Sequence, residues 1–221
     1  MTEVAAGPEL GAAEVELINM ANQVRHAMHE ATSCLIVPNL TKAESVIETD
    51  VIVDEIANKL DRLGVELAAT NSGDAAAIRQ LLSQLRIASS LERMGDLAAH
   101  IAKAARRRYP DSAIPAELVP TFERMGSVAD SVMALTLSAL KRHDSSLWTE
   151  IHETDDQMDA LHREMFRVVL APGWEYGMES AIDVTLLSRY FERYADHAVS
   201  IMRRMVHMIT GEPYANTESE D

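Results

Sequence analysis

Residues 48–54 read ETDVIVD, and residues 153–159 read ETDDQMD. A second pair follows in the same order: ERMGDLAAHI at 92–101 returns as ERYADHAVSI at 192–201. Asp50 and Asp155 are offset by 105 positions, Glu92 and Glu192 by 100. Matched order with a nearly matched offset marks two copies of one unit. A near-copy at 123–127, ERMGS, lacks the aspartate and is read as coincidence.

Working outward from these motifs, Pro and Gly punctuate the chain. The patterning predicts helices over roughly 9–36, 41–69, 74–108, 120–142, 146–170 and 178–210, separated by Pro38-Asn39, Asn71-Ser72-Gly73, the prolines at 110, 115 and 120, His143-Asp144-Ser145 and Pro172-Gly173. Gly211 followed by Pro213 is a helix stop. Such helices are long against a mean of about 11–12 residues, and long helices with short turns read as antiparallel bundles. The expected architecture is all-α: a first three-helix bundle over 1–111, a second over 112–213, and a disordered tail over 214–221. Arg106-Arg107-Arg108 and Arg203-Arg204 stand at predicted helix ends and are read as complementing the C-terminal dipoles.

Composition agrees and excludes. Of 221 residues, 47% are hydrophobic and only 5% aromatic, which favours helices over sheets. Twenty Lys and Arg against 35 Asp and Glu give a net charge of −15. That charge repels nucleic acid and anionic membranes and suits a cation or a basic partner surface. The one cysteine, Cys34, forms no intrachain disulfide and fits a reducing cytosol. No basic n-region leads into an apolar run, and no stretch approaches the roughly 20 apolar residues of a membrane span, so a cytoplasmic location is expected.

The repeated acids carry the chemistry. Positions i and i+4 sit side by side on a helix, so Asp50/Asp54, Glu92/Asp96, Asp155/Asp159 and Glu192/Asp196 are like-charge neighbours, each costing a few tenths of a kcal/mol. A bound cation would turn that repulsion into attraction. On the wheel, Ile87, Leu91, Met94, Leu97, Ala98 and Ile101 form an apolar stripe, which puts Glu92 and Asp96 opposite it, with His100 nearby. Leu187, Phe191, Tyr194, Ala198, Ile201 and Met205 do the same for Glu192 and Asp196, with Ser200 in the place of His100. Small residues beside the acids (Ala88, Gly95, Ala99, Ala195) allow a close neighbouring helix. Asp61, His152 and His162 stand near these motifs, and Arg93 and Arg193 are read as holding a neighbouring carboxylate. If the D-x-x-x-D and E-x-x-x-D helices of one half lie adjacent, four carboxylates converge into an oxygen-rich site for Mg, Mn or Fe, with Zn admitted where a histidine joins. The alternative is a solvated acidic face, which the duplication disfavours.

An E-R-x-x-D helix preceded in each half by a D-x-x-x-D helix resembles the PhoU family over about residues 9–212. The resemblance implies tandem three-helix bundles with multinuclear metal sites, the ligands being Asp50, Asp54, Glu92 and Asp96 in one half and Asp155, Asp159, Glu192 and Asp196 in the other. It implies a non-enzymatic negative regulator of phosphate uptake and of the Pho regulon, acting in cellular phosphate homeostasis with the phosphate ABC transporter ATPase subunit and a sensor histidine kinase. Membrane contact would come only through those partners, with a homodimer as an open alternative. The family's asparagine four residues after the motif aspartate is replaced here by His100 and Ser200; His100 joins the candidate ligands and draws the first site towards Zn or Fe. The competing reading is a carboxylate-bridged oxidase or storage bundle. Such bundles use Glu-x-x-His, and the nearest approach here is Asp159-Ala-Leu-His162. No Walker, zincin or nucleophile-elbow motif occurs.

Overall fold

The computed structural model describes residues 8–71 and 73–212, and the expected tail at 214–221 lies outside them. Six long helices follow in order: α1 Pro8–Ile36, α2 Leu40–Thr70, α3 Ala75–Arg108, α4 Val119–Arg142, α5 Trp148–Val169 and α6 Gly177–Thr210. Short 3-10 turns at Ala116–Leu118 and Ser145–Leu147 lead into α4 and α5. No strand occurs among the described residues.

Local chemistry sets the boundaries. Asn39 opens α2 by accepting a hydrogen bond from the Lys42 amide at 3.0 Å. Asp74 opens α3 by accepting from the Ala76 and Ala77 amides at 2.8 and 3.1 Å. These side chains satisfy amides that a helix start leaves without partners. Gly211 closes α6 at a φ of 76°, in the left-handed region where it carries no Cβ penalty.

Within each half the three helices touch one another: α1, α2 and α3, then α4, α5 and α6. Between halves α3 lies along α6 and α1 along α4, while α2 and α5 stay on opposite flanks. One continuous apolar core results, running from Met20, Leu35 and Leu91 to Phe122, Phe191 and Ile201. Alanine, methionine and leucine line it, which lets helices approach closely along their whole length.

The α3–α6 seam is antiparallel. At one end Arg107 Nη2 donates to Asp183 Oδ1 at 2.7 Å and Arg108 Nε to Asp183 Oδ2 at 2.8 Å, with Glu179 taking a further Arg108 contact at 2.8 Å. Asp183 is buried, so this is a two-arginine clasp on an enclosed carboxylate. Arg106, Arg107 and Arg108 all stand in the last turn of α3, where they complement its dipole as expected, and Arg107 and Arg108 in addition bind the opposite half. At the other end, Arg79, Arg86, Ser83 and His207 line an open cavity of about 340 Å³, and no ion pair among the described residues joins these four across it.

Candidate functional site

Each flanking helix lays its acids against its half's third helix. In the first half Gly95 permits the contact. A Cβ there would lie 3.2 Å from Val53 Cγ1 and 3.4 Å from Asp50 Oδ1, so the Asp50 carboxylate rests directly over the glycine. In the second half the matching residues are Met158, Asp155 and the fully buried Ala195.

Enclosure there has a consequence for charge. Asp50 Oδ1 and Asp155 Oδ1 occupy equivalent places in the two copies, and both are buried with no hydrogen-bond partner. Glu192 Oε2 is a third such atom. An oxygen left in this state carries an uncompensated desolvation cost of about 1–3 kcal/mol. Proton affinities respond accordingly. Burial pushes Asp155 up to about 7, with Asp196 and Asp159 adding repulsion. Burial also pushes Glu192 up to about 7, and Asp196 again adds to it. Asp50 is raised by burial and by Asp96, and Glu92 by burial and by Asp54. Asp196 is raised by burial as well, but it stands at the surface, where solvent screening weakens the effect.

The acids named from the sequence thus gather within each other's electric fields, half by half. Among the described residues, however, no three His, Cys, Asp or Glu side chains lie together closely enough to encage an ion. The gathering is electrostatic, at the range where carboxylates repel. The orphaned oxygens and the hard, all-oxygen donor set fit a divalent cation.

Two orientations differ from the wheel. Glu192 does not oppose the core: it is buried, with 8% of its surface exposed, and Glu92 is half-buried. The reason is packing on several sides. Helix α6 is covered by α3, α4 and α5, and α3 by α1, α2 and α6, so little of either circumference is free. His100 is turned to the seam. Its Nδ1 sits 2.6 Å from the Asp96 carbonyl oxygen, and its ring tilts over Tyr190 of α6 with centroids 5.3 Å apart. His152 is exposed and edge-on to Trp148, whereas His162 is buried with Nδ1 2.9 Å from Ser188 Oγ. Ser188 Oγ donates to the Thr185 carbonyl at 3.0 Å, so the imidazole N–H is the donor to Ser188.

Basic partners complete the site. Arg93 Nη1 donates to Asp96 Oδ2 at 3.0 Å, as the sequence reading expected of Arg93. Its copy Arg193 makes no ion pair among the described residues; Arg189 takes that role by donating to Glu192. Lys103 Nζ lies 4.0 Å from Asp50 Oδ2. Neither Arg189 nor Lys103 was singled out from sequence, although Arg189 stands three residues before Glu192, a spacing that puts both on one helix face.

A family model described as the PhoU domain matches this chain twice, over residues 17–105 and 122–205. The chain belongs to the PhoU family. Its PhoU relatives include "Phosphate-specific transport system accessory protein PhoU homolog 2" of Mycobacterium tuberculosis, 38% identical over 185 residues, covering 84% of this chain and 87% of the relative. "PhoU homolog 1" of Mycobacterium leprae is 36% identical over 185 residues, covering 84% and 83%. The fold matches the crystal structure of PhoU from Pseudomonas aeruginosa with a TM-score of 0.80 at 22% identity, over 92% of this chain and 98% of that one. The PhoU of Streptococcus pneumoniae, described as a phosphate transport system regulatory protein, also gives 0.80, at 23% identity over 93% and 97%. Each PhoU match contains one D-x-x-x-D and one E-R-x-x-D motif. No helix among the described residues is long and apolar enough to cross a membrane.

Proposed function

We propose that this PhoU protein is a non-enzymatic accessory regulator of phosphate transport, working as a metal-binding adaptor. Its relatives are named as accessory and regulatory proteins of the phosphate-specific transport system, which supports the coarse role. In the finer reading it sits between the ATPase subunit of the phosphate ABC transporter and a sensor histidine kinase, repressing the starvation response when phosphate is plentiful. Fe, Mn, Mg or Zn would be held by Asp50, Asp54, Glu92 and Asp96 in one half and by Asp155, Asp159, Glu192 and Asp196 in the other, with His100 beside the first site.

One observation carries the metal reading: the same oxygen, Asp50 Oδ1 and Asp155 Oδ1, is buried and unpartnered in both copies. A single orphan would be an accident of packing. Two at equivalent positions, each facing a raised-affinity carboxylate cluster, make a donor set that lacks its acceptor of electrons. A bound cation would supply the missing positive charge, draw the repelling acids together and fix α2 against α3 and α5 against α6. The exposed helix faces could then carry that change to a partner.

Elemental analysis of the untagged protein beside a D50N/D155N variant tests this. Stoichiometric metal in the parent and its loss in the variant are expected. No metal in the parent after loading with Fe, Mn or Zn would overturn the metal reading. Capture of the transporter's ATPase subunit by the metal-loaded parent, lost in the variant, would support the adaptor role; equal capture by both would separate that role from the acids.

A further inference from the structure

We propose that Arg93 and Arg189 are tethered counter-ions of the two acid sites, and that a cation entering either site must displace the local guanidinium. The proposal rests on the reading that the carboxylates bind a cation. In each half one arginine, three residues before an acid on the third helix, holds that acid: Arg93 on Asp96 and Arg189 on Glu192. In the second half Arg163 of α5 also approaches Asp159, more loosely, at 3.7 Å. The two are not copies of one another. Position 89, which matches Arg189, is a serine, and Arg193, which matches Arg93, makes no ion pair among the described residues. The halves therefore place the same device one turn apart on the duplicated helix, so shared descent does not account for it.

The geometry also makes the guanidinium a replaceable partner. Arg189 takes one oxygen of Glu192, while Oε2 is buried and unpartnered, so the carboxylate is half satisfied. Glu192 is 8% exposed, but the Arg189 side chain keeps 49% of its surface and Arg93 63%. Both arginines reach in from solvent and can swing out without disturbing the core. Pairs with one partner this exposed contribute little, about 0–1 kcal/mol, whereas a divalent ion meets several carboxylates at once. Displacement is thus favourable, and the pair acts as a competitor that weakens apparent cation affinity. Until the ion arrives, the arginines offset repulsion from Asp54, Asp155, Asp159 and Asp196.

Titration calorimetry of the full chain with Mn²⁺ tests this. R189Q should tighten binding at one site by roughly 2- to 5-fold, and R93Q at the other, as expected for loss of a weak competing pair. R193Q removes the same charge from the same helix without opening a pair and should shift affinity less than about twofold. R189K keeps the charge and should stay near the parent. Equal tightening in R193Q and R189Q would reduce the effect to through-space charge and overturn the proposal, as would unchanged affinity in R93Q and R189Q. If neither parent nor variants bind Mn²⁺, displacement falls together with the metal reading. The counter-ion role then has its own readout in thermal melts at low salt without metal: R189Q should lower Tm more than R193Q, and equal losses would overturn that too.

Discussion

The two acid sites share spacing but not depth. In the first half, Glu92 is half-buried and Asp50 has Lys103 within 4.0 Å. In the second, Glu192 is buried and both it and Asp155 are pushed up to about 7. The duplicated positions explain the contrast. Val53, Ala57, Leu91 and Gly95 of the first half become Met158, His162, Phe191 and Ala195 of the second, all four larger and all buried. Duplication preserves where the carboxylates stand, while packing around them sets how strongly they hold protons.

The largest expected effect is the pH profile of metal-free protein. Asp155 and Glu192 hold protons in the folded state up to about 7, whereas in the unfolded chain they release them near ordinary carboxylate values. Between those limits the folded state binds more protons, so stability falls as pH rises from about 4 and levels off above about 7, by roughly 2–4 kcal/mol in total. Below about 4 the trend reverses, because Asp130 and Glu30, held down by hydrogen bonds from Arg25 and Lys42, begin to protonate. Urea melts at stepped pH would show this dome; a stability that climbs between pH 5 and 7 would contradict it. Saturating Mn²⁺ should flatten the decline.

A smaller effect separates the halves directly. D155N removes a buried, repelled charge and should stabilise metal-free protein at pH 8 by about 2 kcal/mol, with D50N giving a smaller gain. Unfolding midpoints of both variants check the ratio, and equal gains would mean that the two sites are equally enclosed. The smallest effect belongs to Gly95. G95A presses on Val53 and Asp50, and its crowding is partly offset by better helix propensity, leaving a loss of about 1 kcal/mol. Mn²⁺ titration should then show weakened binding at the first site alone; weakening at both would place the sites in one coupled unit.

Much of this was legible in the sequence. Asn39, Asp74 and Gly211 mark helix ends by chemistry that any helix needs, and the structure uses them so. The repeated acids identified where α2 meets α3 and α5 meets α6. Glu192's burial, the turn of His100 onto Tyr190 and the reach of Arg107 and Arg108 to Asp183 were not legible. A helical wheel describes one helix with one buried stripe, but α3 and α6 are each covered by three neighbours. Which neighbour covers which side is a property of the assembly of helices, and the pattern within any one of them does not encode it. The Arg189–Glu192 pair was readable from its spacing, yet spacing alone could not rank Arg189 above Arg193.

The clasp of Arg107 and Arg108 on Asp183 has a mechanical meaning. The residues that duplication would pair at the far end of the seam are His207 and Ser83, and they line an open cavity. Among the described residues the α3–α6 seam is therefore pinned by ion pairs at one end only. A load that parts the halves would meet a stiff edge at the clasp and a compliant one beside Arg79 and His207, so a nearly symmetric molecule yields in one direction first, like a hinge with a single pin.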